Sequence, residues 1–153
     1  MPGDSWNLAP GLNNVGSFQV SGRPFASGSC LAPASGSTSL VVRFPSTTKW
    51  VQIEPHQSEV NSQLRVAFSE NGLHGKGGSN FRLHPSSSLC RPLDLKVGEL
   101  WFMGDVNTEG TFTFDIVAGL TNIPAGRLET TGRSVQGTYE AGGPNWSGSI
   151  GVG

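Results

Sequence analysis

The stretch "TFTFDIVAGL", residues 111–120, decides the fold class, because apolar and polar side chains alternate along most of its length. The apolar set that would share one face of a strand is Phe112, Phe114, Ile116 and Ala118. The opposite face would carry Thr111, Thr113, Asp115 and Val117. A period of two with one apolar face is typical of an antiparallel sheet that covers a core on one side. The stretch therefore predicts an amphipathic β-strand.

Six more short runs between residues 39 and 104 are rich in apolar residues and are separated by clusters of Gly, Pro, Asn and Ser. They are "SLVVRF", "KWVQIE", "QLRVAFSE", "NFRLH", "LDLKV" and "ELWFMG". Short strands at regular spacing are typical of all-β domains. Pro45 and Pro55 are expected to end strands, because proline has no N–H to donate to a ladder.

Two of these runs predict which side chains enter the core. In "KWVQIE", Val51 and Ile53 would face inward, whereas Trp50, Gln52 and Glu54 would face outward. In "QLRVAFSE" the inward set would be Leu64, Val66 and Phe68, and the outward set Arg65 and Ala67.

No segment has the 3.6-residue period of an amphipathic helix. The stretch "SENGLHGKGGSN", residues 69–80, is expected to form a long turn. Asn71-Gly72 and Gly77-Gly78 would supply its residues with positive φ.

A leader strand near Phe18–Val20 would bring the number of strands to about eight. Eight antiparallel strands over one core predict a single β-sandwich, most simply a jelly roll. An immunoglobulin-type sandwich fits less well, because Cys30 precedes the first patterned strand and the Cys–Trp–Cys spacing of that fold is absent. The expected fold class is therefore all-β, a jelly-roll-like antiparallel sandwich with extended arms at both ends.

The chain divides into three zones by composition. Residues 1–39 carry only two charged residues, Asp4 and Arg23, with Gly and Pro every few positions, so we expect an extended N-terminal arm with one strand. Residues 40–128 hold the patterned runs and are expected to form the sandwich. Residues 129–153 return to Gly-rich polarity and are expected to form a C-terminal arm.

The arms contain large apolar side chains that have no local core to bury them. Burial on the chain's own sheet or on a neighbour would satisfy them, and the strand around Phe18 is expected to pair with a sheet edge. A disordered Gly/Ser leader is the alternative. The residues expected to contact a partner are Trp6, Phe18, Val20, Arg23, Phe25, Tyr139 and Trp146.

Charge and hydropathy exclude several classes of partner. The net charge is −1 and the ten cations are scattered among eleven carboxylates, so no basic stripe for nucleic acid is present. No apolar run approaches the ~18 residues of a membrane span, and no secretory signal begins the chain, so we expect a protein kept in the cytosol. Cys30 and Cys90 are expected to be free thiols, with one disulfide as the alternative.

No catalytic or cofactor-binding pattern stands out. His56, His74 and His84 lie in expected loops without metal-ligand spacing. "DVNTEG", from Asp105, resembles the first half of a calcium loop, but Ile116 stands where the bidentate carboxylate belongs, so a polar turn is expected. Four carboxylates fit solvent-facing positions without forming a nominated pair: Glu54, Asp94, Glu99 and Asp115. We therefore expect neither an enzyme nor a cofactor.

Trp50 and Trp101 lie in expected strands, where an outward indole would stack on a sugar. A glycan-binding module is therefore an alternative function. Cover of the sandwich edge or of an oligomer interface explains the same two residues.

Four stretches resemble, in this order, small structural proteins of tailed bacteriophages and related viruses. They are "NNVGSFQVSGRPF", "LRVAFSENGLHG", "LDLKVGELWFMG" and "AGLTNIPAGRL", within residues 13–128. That group contains single β-sandwich proteins that decorate or cement capsids. The resemblance implies a virion component, assembled in the host cytoplasm, that binds copies of itself and the major capsid protein; a trimer is favoured over a pentamer. It carries over no active site, and the tail after Leu128 matches nothing in the group.

Overall fold

The computed structural model describes residues 22–36, 38–56, 62–75, 78–85, 91–105, 110–125, 130–131, 141–142 and 151–152. These residues form, in chain order, β1 (Arg23–Ala32), β2 (Leu40–Arg43), β3 (Ser46–Pro55), β4 (Leu64–Ala67), α1 (Glu70–Leu73), β5 (Asn80–Leu83), β6 (Glu99–Gly104), β7 (Phe112–Pro124), β8 (Thr130–Thr131) and β9 (Ala141–Gly142).

The strands form two antiparallel sheets around one core, which confirms the all-β sandwich. The three-stranded sheet has the order β1-β7-β3, and the four-stranded sheet has the order β2-β6-β4-β5. β8 and β9 pair with each other in a separate ladder. Pro45 separates β2 from β3 and Pro55 is the last residue of β3, as expected from their missing N–H groups.

β7 is the centre of the three-stranded sheet, and its alternation is confirmed. Phe112, Phe114, Ile116 and Ala118 are buried, whereas Val117 is 40% exposed. Phe114 meets Phe102 of the four-stranded sheet, with ring centroids 4.4 Å apart. Because the two rings belong to different sheets, this contact joins the sheets. Full burial of one such side chain contributes about 1.5–3 kcal/mol to the stability of the fold.

β4 differs from its predicted pattern, because both of its faces are buried. Arg65 and Ala67 were expected to face solvent, yet they are 9% and 0% exposed. α1 covers this outer face, and its Leu73 packs with Ala67 and Met103 in a small second core. Because the main core lies on one side of the four-stranded sheet and α1 lies on the other, neither face of β4 is exposed to solvent.

The predicted long turn contains this single-turn helix. Ser69 is its N-cap, and the Ser69 Oγ accepts a hydrogen bond from the Gly72 N–H at 3.0 Å. Positive φ values occur at Gly75 and Gly78 and not at Gly72, which is helical, and Gly77 lies outside the described residues. Gly72 is required for another reason: a Cβ there would collide with the carbonyl oxygens of Val152 and Ser79.

"LDLKV" was predicted to be a strand, but it contributes only one isolated bridge, between Leu93 and Val51. The ladder of β3 shifts register on both sides of Thr48. The Thr48 Oγ1 donates to the Leu95 carbonyl at 2.6 Å and accepts from the Val97 N–H at 3.1 Å. These side-chain hydrogen bonds supplement the few backbone bonds that hold the segment beside β3, such as that from the Thr48 N–H to the Val97 carbonyl at 3.1 Å.

The first strand of the sheet begins further along the chain than expected. β1 starts at Arg23 and pairs with β7 of its own chain, with Arg23 opposite Leu120 and Ala32 opposite Phe112. Phe18–Val20, where the leader strand was predicted, lies outside the described residues. Part of the segment expected as an N-terminal arm therefore supplies a strand of the sandwich.

Candidate assembly surface

The outer edge of β1 is an open edge in the described part of the chain. β1 is the first strand in the order β1-β7-β3, and its described ladder partner is β7. At the other end of the sheet, β3 is flanked by the segment that contains Leu93 and Val97. An edge strand presents N–H and C=O groups that can pair with another chain. This edge and the outer face of the three-stranded sheet together are called the assembly surface below.

A β-bulge interrupts this edge. Gly28 and Ser29 of β1 lie opposite Asp115 of β7, so the register shifts between Ser27 and Cys30. Ser29 has a φ of 54°, a left-handed conformation that costs a non-glycine residue on the order of 1–2 kcal/mol. Its N–H donates to the Asp115 Oδ1 at 2.6 Å, which fixes the bulge. Beyond the bulge, Leu31 faces outward between two core-facing neighbours.

Asp115 is also paired with His56, whose Nε2 lies 2.6 Å from the Asp115 Oδ2. The side chains are 50% and 38% exposed, so solvent screens the pair. Asp115 faces solvent and His56 follows β3 outside any strand, as expected, and their side chains in addition pair with each other. The hydrogen bond from the Ser29 backbone, and then that from His56, hold the pKa of Asp115 below its usual range.

This lowered pKa predicts an acid-sensitive bulge. A carboxylate with a depressed folded-state pKa contributes stability above its unfolded pKa of about 3.9, and this contribution is lost as the pH falls through the folded value. The excess stability of the natural chain over Asp115→Asn should therefore shrink as the pH falls below about pH 4. Urea unfolding from pH 3 to 7 measures both curves.

The matched control for this prediction is Asp94→Asn, which alters an exposed carboxylate outside the assembly surface. Its difference from the natural chain should change little over the same pH range. A difference between the natural chain and Asp115→Asn that stays constant down to pH 3 would show that Asp115 makes no pH-dependent contribution.

The exposed large apolar side chains in the described residues are Leu31, 57% exposed, and Val117, 40% exposed. Both side chains face outward from the three-stranded sheet, because the residues before and after each of them along the strand point toward the core. Leu31 is level with Thr113 and Val117 with Ala26, so they stand about 13 Å apart along the sheet. Asp115 lies between them. The assembly surface thus has two apolar points separated by an internally paired carboxylate.

The structure places two of the predicted partner-contact residues at or near this surface. Arg23 is exposed at the start of β1. Phe25 is half-buried and packs edge-to-face on Phe44 at 5.0 Å, so its ring takes part in the chain's own core. The other candidates lie outside the described residues and stay predictions: Trp6, Phe18, Val20, Tyr139 and Trp146.

The two strand tryptophans lie on opposite faces of the sandwich, so they do not form one platform. Trp50 is half-buried in β3, whose outward residues Gln52 and Glu54 hydrogen-bond to each other. Trp101 is half-buried in β6 and packs against the second core, and its Nε1 donates to the Glu99 Oε1 at 3.1 Å. Glu99 was expected to face solvent; it is 3% exposed and also accepts from Arg43.

Asp105, the first residue of the calcium-like motif, is engaged by two arginines. Its Oδ1 pairs with Arg65 and its Oδ2 with Arg82, and the carboxylate is nearly buried. Both oxygens are thus committed to cations. Across the described residues, no three His, Cys, Asp or Glu side chains cluster in a way that would hold a metal ion.

Cys30 is a half-buried free thiol that faces the core and lies 3.3 Å from the Ser27 Oγ. Cys90 lies outside the described residues. The end of the chain returns to the domain, since the Ser69 Oγ donates to the Val152 carbonyl at 2.6 Å. At least this part of the predicted C-terminal arm therefore docks on its own chain, beside α1.

Sequence reasoning missed Leu31, because the composition of residues 1–39 indicated an arm. It also missed the contact between Ser29 and Asp115, which joins residues 86 positions apart. Gly28, between Ser27 and Ser29 within the sequence of β1, was the available signal for a bulge.

No protein-family model matches the chain, and a search among curated proteins finds no match. None of the helices in the described ranges has the length and apolar content needed to cross a bilayer.

Proposed function

We propose that the protein is a virion structural subunit that decorates or cements a viral capsid, of a tailed phage or a related virus, through repeated arm and sheet-edge contacts. The observation that carries the proposal is the open edge of β1, together with Leu31 and Val117 exposed on the same sheet. Its partners would be further copies of the chain and the major capsid protein. The subunit would assemble in the host cytoplasm and remain in the virion.

Pairing at a sheet edge supplies main-chain hydrogen bonds, and the outward side chains supply selectivity. The bulge at Gly28 and Ser29 prevents continuous pairing along β1, which guards the monomer against uncontrolled aggregation. A partner strand is therefore limited to a short stretch on either side of the bulge. Such contacts are individually weak, but repetition around a symmetric shell makes them strong by avidity.

The strand pairings support a jelly-roll connectivity within this proposal. β1 pairs with β7, β2 with β6, β3 with the Leu93 segment and β4 with β5. If the Leu93 segment is counted as the sixth of eight strands, the first strand pairs with the last, the second with the seventh, the third with the sixth and the fourth with the fifth. A folded ribbon of this kind is a jelly roll, an architecture frequent among viral capsid and lectin domains.

A glycan-binding module of a virion is the second candidate. Trp50, half-buried on the outer face of the three-stranded sheet with Gln52 and Glu54 beyond it, is the observation that favours it. Trp101 contributes less, because its Nε1 is already hydrogen-bonded to Glu99.

The test uses shells assembled from the major capsid protein of the virus that encodes this chain. The purified protein should co-sediment with these shells and saturate at a stoichiometry set by their symmetry. The variant Leu31→Lys/Val117→Lys should remain in the supernatant, whereas Asn71→Lys, which makes one such change on α1, should bind normally. Failure of the natural chain to co-sediment, with glycan binding that Trp50→Ala abolishes, would instead establish the second candidate.

A further inference from the structure

The paired side chains of His56 and Asp115 lie at the centre of the assembly surface. Asp115 stands between Leu31 and Val117 on the outer face of the three-stranded sheet, and the His56 Nε2 is 2.6 Å from the Asp115 Oδ2. The two side chains are 50% and 38% exposed. A partner bound across Leu31 and Val117 would therefore cover this pair as well.

Covering the pair changes what its charge costs. In the free chain solvent screens the two groups, so their attraction contributes little. A bound partner removes that solvent, and a covered carboxylate without a counter-charge is costly. The Asp115 Oδ1 accepts from the Ser29 N–H, which is a neutral donor. Among the described partners of Asp115, only His56 can supply a positive charge.

Glu54 makes a positive charge at His56 more valuable. It lies directly opposite Asp115 in the ladder between β3 and β7, so the two carboxylates share the outer face. The Glu54 Oε1 accepts from the Gln52 amide, which carries no charge. When His56 is neutral, the centre of the assembly surface thus presents two carboxylates with no cation in contact with them in the described structure.

The elements beside the pair carry four other charged residues. None of them is a described polar partner of Asp115, whose contacts are the Ser29 N–H and His56. These residues are Arg23 at the start of β1, Lys49 in β3, and Arg91 and Asp94 in the segment around Leu93. In β7, Asp115 is the charged residue. The charge state of His56 therefore decides whether Asp115 is compensated.

We propose, on the basis of the assembly role proposed above, that protonation of His56 strengthens binding at the assembly surface. Histidine is the side chain whose charge ordinarily changes between about pH 5 and 8. Asp115 stays ionised over this range, because the Ser29 N–H and then His56 hold its pKa below its usual range. A contact that covers the pair favours the imidazolium, so binding takes up a proton and becomes tighter as the pH falls.

Sedimentation velocity of the full chain between about pH 5.5 and 8 tests this regulation. The Kd of self-association should be at least about tenfold lower at the acid end, since uptake of one proton changes an equilibrium constant by up to about tenfold per pH unit. His56→Gln keeps an amide donor for Asp115 but no charge, so it should associate at every pH as weakly as the natural chain at about pH 8. His74→Gln is the matched control, because this exposed histidine follows α1 on the opposite face of the sandwich, and it should keep the natural dependence.

Asp115→Asn separates compensation of charge from a merely structural role of the pair. Protonated His56 then has no paired carboxylate to compensate, so the tightening at low pH should be lost or reversed. A natural chain that associates equally across the range, or His56→Gln with the full dependence, would overturn the regulation and leave the assembly role standing. Absence of association at every pH would contradict the assembly role itself, and the regulation with it.

Discussion

Asp105→Asn is expected to lower the free energy of unfolding by about 3–5 kcal/mol, the cost of removing one partner from a buried ion pair. Arg65 is the reason. Its side chain is 11% exposed, and among the described residues its polar contacts are to Asp105 and to the Leu73 carbonyl at 3.2 Å, with none at its Nε. The neutral amide leaves this guanidinium buried without a counter-charge. Thermal unfolding should show a melting temperature lower by roughly 6–20 °C.

Arg82→Gln is the matched control, because Arg82 binds the other oxygen of the same carboxylate but is 53% exposed. Loss of this exposed partner should cost no more than about 1 kcal/mol. The double variant Arg65→Met/Asp105→Leu should recover much of the loss, since apolar residues of similar volume replace buried ion pairs at little cost. Equal, small effects of Asp105→Asn and Arg82→Gln would contradict the account of a buried pair.

The second large effect is expected on self-association. Leu31→Lys/Val117→Lys should weaken the contact between copies by about two orders of magnitude. Leu31 and Val117 are about half exposed in the chain itself, so covering the remainder contributes on the order of 1–1.5 kcal/mol each, about 2–3 kcal/mol together. This energy corresponds to roughly a hundredfold in Kd. Lysine at an edge strand also opposes pairing with another strand.

Sedimentation velocity over a range of concentrations measures this effect, with Asn71→Lys as the control on the opposite face of the sandwich. Because both replaced side chains already face solvent, urea unfolding at a concentration low enough that both variants are monomeric should give nearly the same free energy of unfolding. A double variant that associates as strongly as Asn71→Lys would remove Leu31 and Val117 from the interface.

The sandwich could be predicted because alternation is a local property. Phe112, Phe114 and Ile116 follow one another at the spacing that β7 requires, and the core confirms them. The alternation in β4 gave a wrong prediction for Arg65, because this side chain is buried beneath α1. A helix of four residues is too short to show a 3.6-residue period in the sequence. The segment around Leu93 has the composition of a strand. Because the register of β3 shifts around Thr48, this segment forms only one isolated bridge with β3 in the described structure.

The site could be predicted less well, because its parts are joined across the chain. Nothing near Asp115 indicates that it will hold Ser29, and nothing near Asp105 indicates that two arginines will hold it. Leu31 became visible only when β1 was placed beside β7. An extended arm and an edge strand can have the same Gly-rich composition. They differ in that an edge strand pairs with a neighbouring strand of the sheet, which the composition does not show.

The most direct test of the assembly role is the solution mass of the full-length chain by light scattering, beside that of Leu31→Lys/Val117→Lys. The account predicts a natural oligomer, with a trimer of about 48 kDa, three times the 16.1 kDa chain, favoured over a pentamer, and a monomeric variant. A natural chain that remains a 16.1 kDa monomer up to high concentration would contradict assembly through the β1 edge.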